Sequence, residues 1–313
     1  MFQNSIIGIL IIFIFTTCKI DPKEPPTTLP IKIPTGTKDI SYTEAMMLLI
    51  DTTCYTGIQV LEVEDHLGMK SNSAEYDFID NILSDLAPKI PQKTKYSKRE
   101  ALQILKTIHE QIWKHNKELL SYNSSFSMCL RYQIFDCDIM SLLYLTIADH
   151  FDLPLYPVYM PDHLFILWKD KQNSIYWETT EGKIKSQKFY LNKIKLKKSQ
   201  IGEGLILQKL NRKQLTALAH YNIALAQANK GYYPKSYKLL FQALEISPEW
   251  LEPYRLLGKL YQSDKRYHYA EAAYLEGLAI VPDMHLLKKE LEDLYNLIGC
   301  EEEAKALWKK EKQ

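Results

Sequence analysis

The spacing of apolar positions changes near the middle of the chain. From residue 137 to 151 these positions recur every three or four residues, which predicts a helix with one buried face. Residues 155–160 and 163–168 are instead short runs rich in apolar and aromatic residues, and residues 174–178 follow a polar turn, so these three segments predict antiparallel strands. The centre of the chain therefore predicts an α+β unit in which one helix packs on a small antiparallel sheet.

Helical signals precede this unit. Ser41 with Glu44, and Ser97 with Glu100, have the spacing of a capping box, and apolar residues at helical spacing follow each pair. We expect one helix after each box and a third helix over residues 74–86. All three are expected to pack beside the central unit.

A repeat occupies the C-terminal third of the sequence. Pro248 and Pro282 lie 34 residues apart, and the period of 34 resembles that of tetratricopeptide repeats. Three aliphatic residues fall on the same period: Ile223, Leu257 and Leu291. The resemblance implies an all-α array of about three helix pairs over residues 206–313, with a surface that binds a protein partner. With so few units, the alternative that the array only buttresses the central unit stays open.

The N-terminus has the pattern of an export signal. Residues 5–15 are continuously apolar. A helix needs about 20 apolar residues to span a bilayer, so these eleven are too few and suit the apolar core of a signal peptide instead. The residues Phe15-Thr16-Thr17-Cys18 resemble a bacterial lipobox. This resemblance implies a signal peptide over residues 1–18, lipidation of Cys18, and a protein anchored to a membrane in the bacterial cell envelope. A plain signal peptide and an uncleaved anchor are the alternatives, because no Lys or Arg precedes the apolar run.

A proline-rich tether is predicted next. Residues 19–40 hold five Pro, which favour an extended, semi-rigid chain over a fold. Residues 41–205 then form the predicted central domain with its helical lead-in.

Charge and cysteine content narrow the function classes. The net charge of the 313 residues is +1, so nothing global indicates a nucleic-acid partner, and the basic run at residues 183–213 is interpreted as a solvated connector. None of the five Cys forms a C-x-x-C pair, which disfavours a zinc ribbon or a thioredoxin-like site. No cofactor is expected. Whether Cys54 and Cys129 pair with each other stays open, since connectivity cannot be deduced from sequence.

The central unit carries the residues of a thiol-nucleophile site. Cys137 opens the predicted helix, where unpaired N–H groups and the helix dipole favour a thiolate, although Asp136 and Asp138 oppose this locally. His163 begins one strand and Glu178 ends the next, which makes them cross-strand neighbours if the turn centres near residue 170 or 171. A carboxylate beside an imidazole fixes its tautomer, and the imidazole can then take the thiol proton.

This order of residues resembles the transglutaminase-like superfamily, which is related to papain-type folds. The similar stretches are CDIMSLLYLTIADHFDLPLYPVYMPDHLFILW and YWETT. The resemblance implies that Cys137 is the nucleophile, His163 the general base and Glu178 the orienting acid, with Gln133 as a candidate oxyanion-hole amide. Well-known members have Trp directly after the nucleophile and Asp as the third residue, whereas this chain has Asp138 and Glu178.

Two functions follow from the resemblance. The first is a thiol hydrolase, such as a cysteine protease or amidase, or an amide or acyl transferase that acts on protein or peptide substrates. The second is a catalytically inactive lipoprotein whose two folded parts form a protein-binding scaffold. A metal site built from Cys137, His163 and Asp162 is disfavoured, because no further soft or imidazole ligand is evident.

Overall fold

The computed structural model describes residues 55–119 and 125–309. The predicted signal peptide, Cys18, the tether, the first capping box and Cys54 lie outside these residues. Within the described part of the chain, every helix is too short or too polar to cross a bilayer.

Three helices open the described chain: α1 (Thr56–His66), α2 (Ser73–Leu86) and α3 (Lys98–Trp113). The capping box predicted before α3 is confirmed, since the Glu100 carboxylate accepts the Ser97 backbone N–H at 2.8 Å. The helix expected over residues 74–86 corresponds to α2. Its own capping box, made by Asn72 and Glu75, and the whole of α1 were not predicted.

Two short strands lead into the central helix. Strand β1 (Glu118–Leu119) pairs in parallel with β2 (Ile134–Phe135), and helix α4 (Phe126–Tyr132) lies between them in the chain. Gln133 ends α4 in a left-handed conformation with φ 57°. This sharp turn sends the chain through β2 and directly into the central helix.

The central helix is α5 (Cys137–Phe151). Twelve of its fifteen residues are buried, so the prediction of a single buried face was too narrow. The reason is that α5 packs against helices α1, α2 and α3 as well as against the sheet. Sequence periodicity cannot reveal a helix that is enclosed by neighbours on several sides.

The predicted sheet is present, with one further strand. Its order is β3 (Leu155–Met160), β4 (His163–Lys169), β5 (Ser174–Glu178) and β6 (Lys183–Lys185), and all neighbours are antiparallel. The register pairs Ile166 with Trp177. His163 and Glu178 are therefore diagonal neighbours and not directly opposite, because the β4–β5 turn centres one residue later than expected.

The segment after the sheet is tied back to it. Helix α6 (Gln187–Ile194) follows β6, and residues 207–210 then run beside the free edge of β3. The amide of Leu207 donates to the Tyr159 carbonyl at 2.8 Å, and the amide of Leu210 donates to the Pro157 carbonyl at 2.9 Å. The chain just beyond residue 205 is thus joined to the α+β unit by backbone hydrogen bonds.

Six helices complete the described chain, and we call them the C-terminal helices. They are α7 (Arg212–Asn229), α8 (Tyr233–Ile246), α9 (Leu251–Ser263), α10 (Tyr267–Ile280), α11 (His285–Ile298) and α12 (Glu301–Ala306). They pack as consecutive pairs, α7 on α8, α9 on α10 and α11 on α12, and α7 also packs on α1. Gly258 permits one close approach, since a Cβ there would overlap the ring of Tyr274.

Candidate active site

Cys137 is the first residue of α5, as the pattern predicts. Asp136 caps this helix, and its Oδ1 accepts the backbone N–H groups of Asp138 and Ile139 at 3.0 and 2.9 Å. These two amides are therefore occupied and do not face the cavity as free donors. The thiol itself donates to Asp138 Oδ1, with 3.6 Å between sulfur and oxygen.

The surroundings of Cys137 favour the neutral thiol. Burial raises its pKa well above the usual value, and the charges of Asp138 and Asp136 raise it further, while the backbone N–H of Leu164 lowers it. The helix N-terminus thus does not decide the protonation state, since burial and the two carboxylates outweigh it. Cys137 is therefore a neutral thiol, and a base would be needed to remove its proton.

His163 and Glu178 form a buried pair. Nε2 of His163 lies 2.7 Å from Oε2 of Glu178, and both side chains are less than a tenth exposed. The other carboxylate oxygen accepts the Thr180 hydroxyl at 2.8 Å, and the Tyr190 hydroxyl donates to Oε2 at 3.4 Å. Burial raises the pKa of Glu178, but the hydrogen bond and charge of His163, together with Thr180, outweigh it and hold this pKa below its usual value.

The tautomer of His163 follows from this pair. An ionised carboxylate only accepts, so Nε2 carries a proton, and in the neutral imidazole it is Nδ1 that has the lone pair. The imidazole also stacks on Phe165 at 5.9 Å between ring centroids, and Phe165 stacks on Tyr190 at 3.9 Å. The ring is thus fixed by a hydrogen bond at one nitrogen and by aromatic contacts on its face.

Cys137 and His163 line the same cavity, whose volume is about 290 Å³. The α+β unit supplies one wall, which also includes Asp138, Asp162 and Leu164. The other wall comes from the C-terminal helices and the residue before α9: Leu218, Tyr221, Leu225, Asn229, Trp250 and Glu252. The cavity therefore lies between the two parts of the fold, and Cys137 is partly exposed within it.

Residues 74–223 match the family model described as Transglutaminase-like superfamily. This stretch is a transglutaminase-like domain. It contains Cys137, His163 and Glu178, and it runs past residue 205 into helix α7. No curated protein matches the chain.

Two contacts with the C-terminal helices support the site of the transglutaminase-like domain. The amide nitrogen of Asn222, on α7, donates to Asp138 Oδ2 at 3.1 Å and so holds the residue next to Cys137. Burial raises the pKa of Asp138, and Asn222, Cys137 and His163 oppose that rise. A residue of α7 therefore acts on the electrostatics of Cys137 through one intermediate carboxylate.

The second contact holds the turn before His163. Asp162 has φ 56°, its N–H donates to Glu252 Oε1 at 3.1 Å, and its carboxylate accepts Arg255 at 2.8 Å. Arg255 in turn donates to Glu290 at 2.7 Å. The two-residue turn between β3 and β4 is thus anchored by a buried ionic cluster on α9 and α11.

The structure does not bring Gln133 to the cavity. It lies at the C-terminal end of α4, and its backbone carbonyl accepts the Lys117 N–H at 2.8 Å. Its role as an oxyanion donor remains a prediction that no described contact supports. Among the described residues, no group of three or more His, Cys, Asp or Glu is arranged to hold a metal ion.

Sequence reasoning missed the supporting residues Asn222, Glu252 and Arg255. Asn222 lies 84 positions from Asp138, and Arg255 lies 93 positions from Asp162. The available signal was the presence of polar residues among the apolar positions of α7 and α9. Buried polar groups need partners, but the pattern does not say which partner.

Proposed function

We propose that the transglutaminase-like domain is a thiol enzyme in which Cys137 attacks an amide carbonyl of a protein or peptide. The observation that carries this proposal is the buried 2.7 Å hydrogen bond between His163 and Glu178, with Cys137 on the wall of the same cavity. An oriented base beside a nucleophile is the constellation of covalent acyl transfer.

The geometry favours a general-base route. Since the pKa of Cys137 is raised, its proton leaves during attack and not before. In this route Cys137 turns from Asp138 toward His163, Nδ1 of His163 takes the thiol proton, and a carbon–sulfur bond forms at the carbonyl. Collapse breaks the carbon–nitrogen bond, and Nδ1 returns the proton to the leaving amine. Water or a second amine then resolves the thioester, giving hydrolysis or transfer.

A binding module without turnover is the second candidate. The observation that favours it is the hydrogen bond of the thiol to Asp138, together with the raised pKa of Cys137. In this case the cavity and the C-terminal helices would hold a partner, and the thiol would be a polar side chain of the cavity wall with no chemical role.

The chain is further proposed to be a lipid-anchored protein of the bacterial cell envelope with tetratricopeptide-like C-terminal helices. The lipobox-like residues before Cys18 and the 34-residue period support this proposal. Metabolic labelling with an azide-bearing fatty acid tests the anchor. Label that is lost in Cys18→Ala supports it, and equal labelling of both proteins counts against it.

Alkylation kinetics test the enzyme. Iodoacetamide is added to the full chain from pH 5 to 10, and mass spectrometry follows the peptide that contains Cys137. Wild type is compared with His163→Ala and with His66→Ala, since His66 is exposed and distant in sequence from the site. The enzyme hypothesis requires that His163→Ala slows modification of Cys137 below pH 8 and that His66→Ala does not. Equal rates in all three proteins favour the binding module.

A further inference from the structure

Three residues that line the cavity each carry a buried polar atom without a hydrogen-bond partner among the described residues. These atoms are the hydroxyl of Tyr159, Nε1 of Trp250 and Oε2 of Glu252. Each side chain is at most 3% exposed. Buried polar groups are bonded to protein, water or a ligand in the great majority of cases, so three such atoms on residues around one cavity require partners that water or a ligand supplies.

The three atoms differ in what they require. Trp250 Nε1 can only donate, so it requires an acceptor such as a carbonyl oxygen. Glu252 Oε2 accepts, so it requires an N–H group. The Tyr159 hydroxyl can do either. A ligand that satisfies all three carries both an acceptor and several N–H donors.

The charge of the cavity wall excludes anions. Asp138, Asp162 and Glu252 line the cavity, and neither Lys nor Arg is among its described lining residues. Arg255 lies behind this wall and already bonds Asp162 and Glu290, and it contacts Oε1 of Glu252 at 3.5 Å. A cationic group therefore suits this cavity, and a carboxylate or phosphate does not.

The aromatic rings favour a planar cation. Trp250 lies 5.8 Å from Tyr159 and 5.2 Å from Tyr221, measured between ring centroids. Leu218 and Leu225 add apolar surface to the same side. A guanidinium group packs on aromatic faces and presents five N–H donors in one plane, whereas an ammonium is a compact, strongly hydrated charge.

We propose that Tyr159, Trp250 and Glu252 form a subsite for an arginine residue of a peptide. The guanidinium donates to Glu252 Oε2 and to the Tyr159 oxygen, and a backbone carbonyl of the same peptide accepts the Trp250 N–H. The subsite adds a substrate class to the proposed function. It rests on that function only for the statement that the bound peptide is a substrate. Binding at this subsite involves no chemistry at Cys137.

The experiment uses the full chain with Cys137→Ala, so that binding is measured without turnover. The probes are N-acetyl-arginine amide and N-acetyl-citrulline amide, which have nearly the same shape and differ in charge. NMR follows the indole N–H signals, and the Trp250 signal is assigned by its absence in Trp250→Phe. The arginine probe is expected to shift the Trp250 signal and to bind about tenfold to hundredfold more tightly than the citrulline probe.

Two variants complete the test. Glu252→Gln removes the charge and keeps an acceptor for the Asp162 amide, so it is expected to weaken arginine binding about tenfold or more. Glu245→Gln is the matched control, since Glu245 is exposed on α8 and does not line the cavity. Equal binding of the two probes, or equal affinity of both glutamine variants, overturns the subsite. The alkylation result for His163→Ala is independent of both, so the two proposals fail separately.

Discussion

Arg255 donates a hydrogen bond to Asp162 across 2.8 Å, and Asp162 immediately precedes His163 in the chain. The same guanidinium is buried and also bonds Glu290. The position of the proposed base is thus coupled to helices that lie more than 80 residues further along the sequence.

Replacing Arg255 with Met is expected to destabilise the fold by about 3–5 kcal/mol, because it leaves the buried carboxylate of Glu252 without its cation. The measurement is urea unfolding followed by circular dichroism. Lys259→Met is the matched control, since Lys259 contacts the same Glu290 at 3.0 Å but is half exposed. The control is expected to cost less than about 1 kcal/mol. Similar losses of unfolding free energy in the two variants would show that the burial of Arg255 does not determine its contribution to stability.

Asp136→Asn is expected to lower the pKa of Cys137, since it removes a carboxylate that raises that pKa. The helix cap is retained, because Asn caps about as well as Asp. Modification of Cys137 by iodoacetamide should therefore extend to lower pH than in wild type. Asp152→Asn, at the opposite end of α5 in a left-handed conformation that Asn tolerates, serves as the control. A pH profile unchanged by Asp136→Asn contradicts the assignment of the raised pKa to this carboxylate.

Glu178→Gln is expected to keep the fold and to lose most of the proposed thiol-enzyme activity. The amide can donate to Nε2, which would move the imidazole proton to Nδ1 and block proton transfer from the thiol. A comparable change in a related triad costs about 10⁴ in rate, which sets the expected scale. The measurement is capture of the thioester by hydroxylamine from a peptide-amide library. Glu178→Asp, which keeps the charge, should retain more of this activity, and the reverse order would refute the orienting role.

Glu64 makes stability depend on pH. Burial raises its pKa to about 7, although its carboxylate accepts the amides of Phe126 and Ser127. Between about pH 4.5 and 7 the folded chain retains a proton that the unfolded chain releases, so this group makes stability fall as pH rises.

The size of this effect is on the order of 3 kcal/mol across that range. Denaturant unfolding of wild type and Glu64→Gln at pH 4.5 and 7.5 measures it. The free energy of unfolding of the variant should rise relative to that of wild type between the two pH values. Glu62→Gln, on the exposed face of the same helix, should have the same free energy of unfolding as wild type at both pH values. A constant difference for Glu64→Gln would show that the carboxylate titrates normally.

Local signals explain why much of the proposed site could be predicted. Cys137 begins a helix, His163 begins a strand and Glu178 ends one, and each boundary is marked by nearby residues. The register could not be fixed so well, since moving the turn centre by one residue changes an opposite pair into a diagonal pair.

The opposite wall of the cavity could not be predicted. Tyr221, Trp250 and Glu252 lie on or just before helices whose periodicity shows only that they pack, and their position opposite the sheet depends on how two parts of the chain meet in space. The raised pKa of Cys137 has the same origin, because burial is a property of the assembled fold and helix position alone indicated a thiolate.

The backbone pairing of residues 207–210 with β3 affects what happens when the α+β unit is produced without the C-terminal helices. An unpaired strand edge is a template for association with other chains, and β3 is the outer strand on this side of the sheet. The opposite outer strand, β6, carries Lys183 and Lys185, and such charges discourage edge-to-edge contact. Cutting the chain before residue 207 would uncover an apolar edge without such charges, so a fragment ending there is expected to aggregate even if its sheet forms correctly.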